Sequence, residues 1–123
     1  MNFSEKTIVI GVGGGIAAYR ACDFIRELYR LGAKAVHVVM TPNATEFISP
    51  LTLHALSRHK VHLQNLSVEA DGVPIHIRLP QEADALLILP TTADLIAKLS
   101  HGLADDLLTT TAIAFTDKPI VLA

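Results

Sequence analysis

The stretch TIVIGVGGGIAAYR, Thr7 to Arg20, decides how the rest of the chain is read. Thr7, Ile8, Val9 and Ile10 are apolar or β-branched and predict a short, fully buried strand. A turn holding Gly11, Gly13, Gly14 and Gly15 follows, and Ile16, Ala17, Ala18 and Tyr19 then open a helical pattern. A strand that feeds a helix through glycines leaves unpaired N–H groups at the helix N-terminus, where the dipole favours an anion such as phosphate. Absent Cβ atoms let a ligand come close to the main chain. The spacing leaves the ligand open. A G-x-G-x-x-G fingerprint needs a small residue where Ile16 stands, and no Lys-Ser or Lys-Thr pair makes a Walker-type loop. Taken alone, the turn reads equally as a phosphate-binding loop or as a tight α/β connection.

Outward from this turn, Ile16 to Leu31 predicts a helix. Ile16, Ala17, Ala21, Phe24, Ile25 and Leu28 form one face, and Asp23, Arg26, Glu27 and Arg30 the other. Gly32 stops it. Ala35 to Met40 predicts a second strand, ending at Thr41-Pro42-Asn43, where Thr41 or Asn43 either caps a short helix over Ala44 to Ile48 or donates to a ligand. Ser49-Pro50 restarts a helix over Leu51 to Leu56, and Val61 to Leu63 predicts a short strand. Ser67 to Pro74 is polar and without period, a loop leading to Ile75-His76-Ile77. Gln81 to Asp84 predicts one helical turn and Ala85 to Leu89 a buried strand closed by Pro90. Thr91 to Ser100 predicts a helix with Leu95, Ile96 and Leu99 inward. His101-Gly102 is a loop, Asp105 and Asp106 begin another helix where carboxylates suit the dipole, and Pro119 to Ala123 predicts a last buried strand. Strands alternating with helices imply a parallel sheet covered on both faces, with ligands bound at the carboxyl ends of its strands. Gly13 to Ile16, Thr41 to Asn43 and Pro90 to Asp94 all fall at such ends.

Composition narrows the class. At 123 residues the chain is expected to be a single domain, and 50% hydrophobic content argues against disorder. A net charge of −2 without a basic run disfavours nucleic acid as a partner. MNFSEKT has no apolar signal core, and no run reaches membrane-spanning length, so no membrane partner is expected. The one cysteine, Cys22, excludes an internal disulfide framework and suits a reducing, cytoplasmic setting; with no histidine at local spacing it reads as a packing residue.

The six histidines raise the question of a metal. His54, His59 and His62 lack H-x-H or H-E-x-x-H spacing and an acidic partner, so no metal site is expected. His37 lies inside a strand and His101 at a helix end. His76, between Ile75 and Ile77 after a flexible loop, reads either as an acid–base group tuned by burial or as a hydrogen-bonded structural histidine. No G-x-S-x-G elbow is present.

The segments GVGGGIAAYRACDFIREL, VVMTPNATEFISPLTLHALS, IHIRL and ADALLILPTTADLIAKLSHGLADDLLTTT, in this order across nearly the whole chain, resemble the flavin-dependent cysteine decarboxylases. The A-K-L-x-H-G-x-A-D-D-L-L-T block is the most specific part. The resemblance implies a three-layer, Rossmann-like or flavodoxin-like parallel α/β sheet and FMN as cofactor. Gly14, Gly15 and Ile16 match the family's phosphate-binding loop, Thr41 and Asn43 its second flavin contact, and Thr92, Ala93, Asp94 and Leu95 its flavin and substrate segment. His76 matches its active-site histidine, the expected proton-handling residue. Members are homotrimers, or dodecamers built from trimers, with FMN at the subunit interface. The implied reaction passes a hydride from the cysteine side-chain carbon to flavin while the thiol proton leaves, giving a thioaldehyde, after which CO2 loss yields an enethiolate. The pattern looks closest to the branch that converts 4'-phospho-N-pantothenoylcysteine to 4'-phosphopantetheine in coenzyme A synthesis. The alternatives are a peptidyl-cysteine decarboxylase or a flavin-binding subunit without activity.

Two departures from the family's pattern carry expectations. Position 94 is Asp where the family usually has Asn, and an anionic Asp94 would repel a substrate carboxylate unless it is protonated or faces the flavin. The sequence also stops where the family has a P-x-M-N segment that holds flavin and substrate, and before its substrate-clamp cysteine. The chain is therefore expected to lack a C-terminal part of its domain.

Overall fold

The computed structural model describes residues 2–63, 68 and 70–123. Four strands, β1 (Thr7–Val12), β2 (Ala35–Met40), β3 (Ala85–Ile88) and β4 (Ile120–Leu122), form one sheet in the order β2-β1-β3-β4, every pair parallel. Five α-helices connect or follow them: α1 (Arg20–Arg30), α2 (Pro50–Ser57), α3 (Ile75–Glu82), α4 (Ala93–His101) and α5 (Leu107–Ala114). Since successive side chains of a strand point to opposite faces, β1 feeds two separate cores. Ile8, Ile10 and Val12 pack with α1 (Ala21, Ile25, Leu28) and with Leu53 of α2. Val9 points the other way, towards Leu79 of α3, Leu95 of α4 and Leu108 of α5. The result is the three-layer α/β sheet that the alternation of elements implied.

Chain order fixes where a ligand can sit. β1 leads to β2 on one side, while β3 adds on the other, so the order reverses between β1 and β3. In open α/β sheets the crevice at such a switch point, beyond the carboxyl ends of the strands, is the binding place. Val12 pairs with Met40 and Gly11 with Ile88, so the three strands end nearly level and their loops share one edge.

Several local expectations are corrected. The helix expected over Ile16 to Leu31 begins with a 3-10 turn, Ile16–Tyr19, before α1, and Ile16 is 85% exposed instead of packing inward. The segment after Thr41 is also 3-10, Pro42–Glu46. Val61 to Leu63 makes only a single bridge, His62 to Val39. Ile75-His76-Ile77 and the turn expected at Gln81 to Asp84 belong to one helix, α3, which contains Pro80 and ends at Glu82. Ile96 is half exposed, whereas Leu95 is buried. The strand expected over Pro119 to Ala123 is the edge strand β4, and Ile120, Val121 and Leu122 are all exposed, because β4 pairs only with β3 and no described helix covers it. The loop expected over Ser67 to Pro74 lies partly outside the described residues. Cys22 is half-buried against the α1 core, and burial pushes its thiol pKa up, in keeping with a packing role. Among the described residues no helix is long and apolar enough to cross a membrane, and no three His, Cys, Asp or Glu side chains are grouped to hold a metal ion.

A histidine cluster marks the outer edge of the sheet. The His37 ring on β2 lies 4.4 Å from the His59 ring, and His59 Nδ1 is 2.9 Å from Ser57 O and 3.1 Å from Val36 O. Burial, then the neighbouring His59 and His62, hold the His37 pKa down at about 4 against an ordinary 6.5, with Glu82 opposing. The folded protein thus keeps His37 neutral where the unfolded chain binds a proton. Its contribution is intact above pH 6.5 and is lost as the pH falls from there towards about 4. Unfolding midpoints measured between these values should fall with pH, and His37→Phe should flatten that slope.

Candidate functional site

At the carboxyl edge of the sheet lies a cavity of about 320 Å3, within the usual range of ~300–1,000 Å3 for small-molecule sites. Gly14 contributes one wall after β1, and Thr41, Pro42 and Asn43 continue it after β2. Thr92, Asp94, Leu95 and Lys98 of α4 with its cap form the opposite wall, together with Asp105 and Asp106 ahead of α5.

Two glycines hold these walls at their separation. The Gly13 N–H donates to Pro90 O at 3.2 Å, and a Cβ on Gly13 would stand 2.4 Å from that same oxygen. A Cβ on Gly14 would lie 2.5 Å from Asn43 Cβ and 2.9 Å from the Asn43 carbonyl carbon. Both clashes involve main chain or the first side-chain atom, which cannot swing away, so only glycine fits. Gly15 differs: a Cβ there meets nothing closer than 3.6 Å.

The hydroxyls have local partners. Thr41, 6% exposed, accepts from the Ala44 N–H at 3.2 Å and so caps the 3-10 turn, the first of its two expected roles. Thr92 Oγ1 accepts from Leu95 N–H at 3.1 Å and caps α4. Asp106 and Thr109 form a reciprocal capping box at the start of α5. These caps fix Thr41, Thr92 and Asp106 at the cavity rim, and the Thr41 and Thr92 hydroxyl protons remain to donate.

Charge at the site is arranged around one ammonium. Lys98 Nζ lies 3.1 Å from Asp94 Oδ2 and 3.2 Å from Asp105 Oδ2. These bonds to Asp94 and Asp105 raise the Lys98 pKa above its ordinary value. The repulsion expected from Asp94 is thus answered by a lysine, an arrangement that neither a protonated Asp94 nor one turned to a flavin anticipates.

Six of the residues singled out by sequence line the cavity: Gly14, Thr41, Asn43, Thr92, Asp94 and Leu95. Gly15 and Ile16 lie beside it in the glycine turn and Ala93 opens α4, but none of the three is in its lining. His76 stands apart on α3, half-buried, with its Nδ1 buried and without a hydrogen-bond partner. Pro42 lies within the Thr41 to Asn43 end that the sequence placed at the ligand edge, whereas Lys98, Asp105 and Asp106 were not singled out as lining residues. The available signal was the i, i+4 spacing of Asp94 and Lys98.

The donor set suits a ring compound carrying a phosphate. It offers a main chain bare of Cβ, a carboxamide at Asn43, threonine hydroxyls, and apolar contacts from Pro42 and Leu95. Ile16 and Ala17 open the turn that runs into α1, where N–H groups have no intrahelical acceptor behind them.

Known proteins agree with this geometry. The flavoprotein family matches residues 1–123. The chain is 46% identical over 123 residues to the coenzyme A biosynthesis bifunctional protein CoaBC of Haemophilus influenzae, and spans 30% of that protein's length. The crystal structure of SpaF, an FMN-dependent cysteine decarboxylase, superimposes with a TM-score of 0.88 at 31% identity, over 98% of this chain and 69% of SpaF. A PPC decarboxylase structure superimposes with a TM-score of 0.77 at 26% identity, over 96% of this chain and 69% of the other. The chain belongs to the flavoprotein family.

Proposed function

We propose that this chain is the flavin-holding domain of an FMN-dependent cysteine decarboxylase that converts 4'-phospho-N-pantothenoylcysteine to 4'-phosphopantetheine in coenzyme A synthesis. The observation that carries this reading is the cavity at the β1/β3 switch point, walled by a glycine turn that leaves room for a phosphate-bearing ring. The likeness to CoaBC over the whole chain supports the choice of substrate. A second reading, in which the cysteine carboxylate belongs to a peptide, keeps the same FMN-dependent cysteine decarboxylation that SpaF carries out.

In this reading Gly14, Gly15 and Ile16 receive the phosphate, Thr41 and Asn43 meet the flavin from the β2 side, and Thr92, Ala93, Asp94 and Leu95 face flavin and substrate from α4. A bound flavin would supply a two-electron acceptor for the cysteine side chain, letting the carboxylate leave as CO2, and would return the two electrons to give the saturated thiol of 4'-phosphopantetheine. The protein's own part is to orient that carboxylate, exclude water and manage protons. His76 is assigned the proton. Its unpartnered Nδ1 and its absence from the cavity lining fit a histidine that serves the flavin of a neighbouring subunit. Ile16 at 85%, Leu51 at 74% and Phe47 at 52% exposure follow β1 and β2 on the cavity edge and supply apolar surface for such a trimeric, or trimer-of-trimers, contact. A cytoplasmic location is part of the same proposal.

Three measurements test it. The purified protein should carry, or take up, FMN with a flavin absorption spectrum, and should release CO2 from 4'-phospho-N-pantothenoylcysteine. Turnover of a peptide ending in cysteine instead selects the second reading, and FMN binding with neither turnover leaves a flavin-binding subunit. His76→Asn should keep FMN bound and lose turnover; retained activity removes His76 from the chemistry. Gly14→Ala should weaken FMN by roughly tenfold or more, the size of an overpacking penalty, while circular dichroism stays that of the parent.

A further inference from the structure

We propose that Lys98 is a positioning residue that sets how well the cavity tolerates an anion, by holding Asp94 and Asp105 through their carboxylates. This rests on the reading that the cavity holds FMN. Lys98 projects from α4 into the cavity lining, and both acids it binds line the same wall, as does Asp106. Gly14 of the glycine turn lines the same cavity, and the turn runs into a helix start at Ile16 and Ala17 whose N–H groups suit a negative group. Any phosphate held there shares the cavity with three carboxylates. Without a cation among them, that wall opposes the ligand the other wall favours.

Lys98 resolves the conflict. Its two partners come from different places: Asp94 is one helical turn back on α4, and Asp105 lies beyond the turn at Gly102 that ends the helix. One ammonium therefore closes the α4 end onto the following loop and partly neutralises both acids. The pair with Asp94 is exposed on the acid side, 70% against 24% for the lysine side chain. Exposed ion pairs contribute little to stability. Their field still reaches a ligand within a Debye length, about 8–10 Å at ordinary salt. Removing the lysine should thus be felt by an anionic ligand far more than by the fold.

The test compares FMN with riboflavin, which shares the ring system and lacks the phosphate. Each is titrated by flavin fluorescence into the parent, Lys98→Met, Lys98→Arg and the triple variant Lys98→Met/Asp94→Asn/Asp105→Asn, at about 0.02 M and about 0.5 M salt. Lys98→Met should raise the FMN Kd about tenfold at the lower salt and about two- to threefold at the higher, with riboflavin moved less than about twofold. Lys98→Arg should stay within about twofold of the parent, and the triple variant should recover FMN binding. Equal weakening of FMN and riboflavin, or a loss that salt and the triple variant leave untouched, overturns the charge role and marks Lys98 as structural. Unchanged FMN binding in Lys98→Met overturns it as well. A parent that binds neither flavin overturns the functional reading, and this inference with it.

Discussion

The Gly13 N–H bond to Pro90 O is the contact on which the site depends. It joins the ends of β1 and β3 where the strand order reverses, and at 3.2 Å it leaves no room for a side chain on Gly13. The loop after β2 closes on the same turn, with Asn43 against Gly14. Three strand ends are thereby brought to one place by main-chain contact alone. Asn43, Thr92 and Asp94 are then carried on that frame at the cavity rim. Caps complete that frame: Thr41, Thr92 and Asp106 each satisfy an N–H group that a helix start would otherwise leave unpaired.

Electrostatics at the cavity is a balance of opposites within a small volume. The glycine turn offers N–H groups and the positive end of a helix, while the opposite wall carries Asp94, Asp105 and Asp106 around Lys98. Asp94 and Asp106 stand at the starts of α4 and α5, where a carboxylate is favoured by the helix dipole. The acids are thus explained by the helices they begin, and the lysine by the acids. His76, with a buried ring nitrogen lacking a partner, is the one titratable group of the proposed machinery whose surroundings this single chain leaves incomplete.

The fold was legible in the sequence because its elements are strongly patterned: TIVI and ALLIL read as buried strands, the first running two residues further in the structure and the second one residue less, and Gly32 and Gly102 end helices where the structure ends them. What sequence could not supply was which apolar faces are covered. Ile16 and Ile96 keep helical spacing yet face outward, and PIVLA is apolar yet forms an exposed edge. Hydrophobicity states what a residue tolerates, whereas burial depends on a neighbour that periodicity does not name. Helix α3, expected only as a turn at Gln81 to Asp84, runs from Ile75 through Pro80 to Glu82. Of the site, the glycines and threonines were found because turns and caps are local. Lys98 was not, since a lysine four residues after an aspartate looks like any solvated helix pair, and its second partner, Asp105, lies outside the helix.

Because β1 sends alternate side chains to opposite faces, the two walls of the cavity rest on different packings. Ala44, beside Asn43, belongs to the cluster with α1 and α2, and Leu95, beside Asp94, to the cluster with α3, α4 and α5. The cavity is a seam between two hydrophobic halves that meet only through the sheet. A ligand lying across it acts as a staple, drawing on both halves at once. Ligand affinity and the cohesion of the two halves are then one linked quantity: loosening either core widens the seam, and filling the seam tightens both cores.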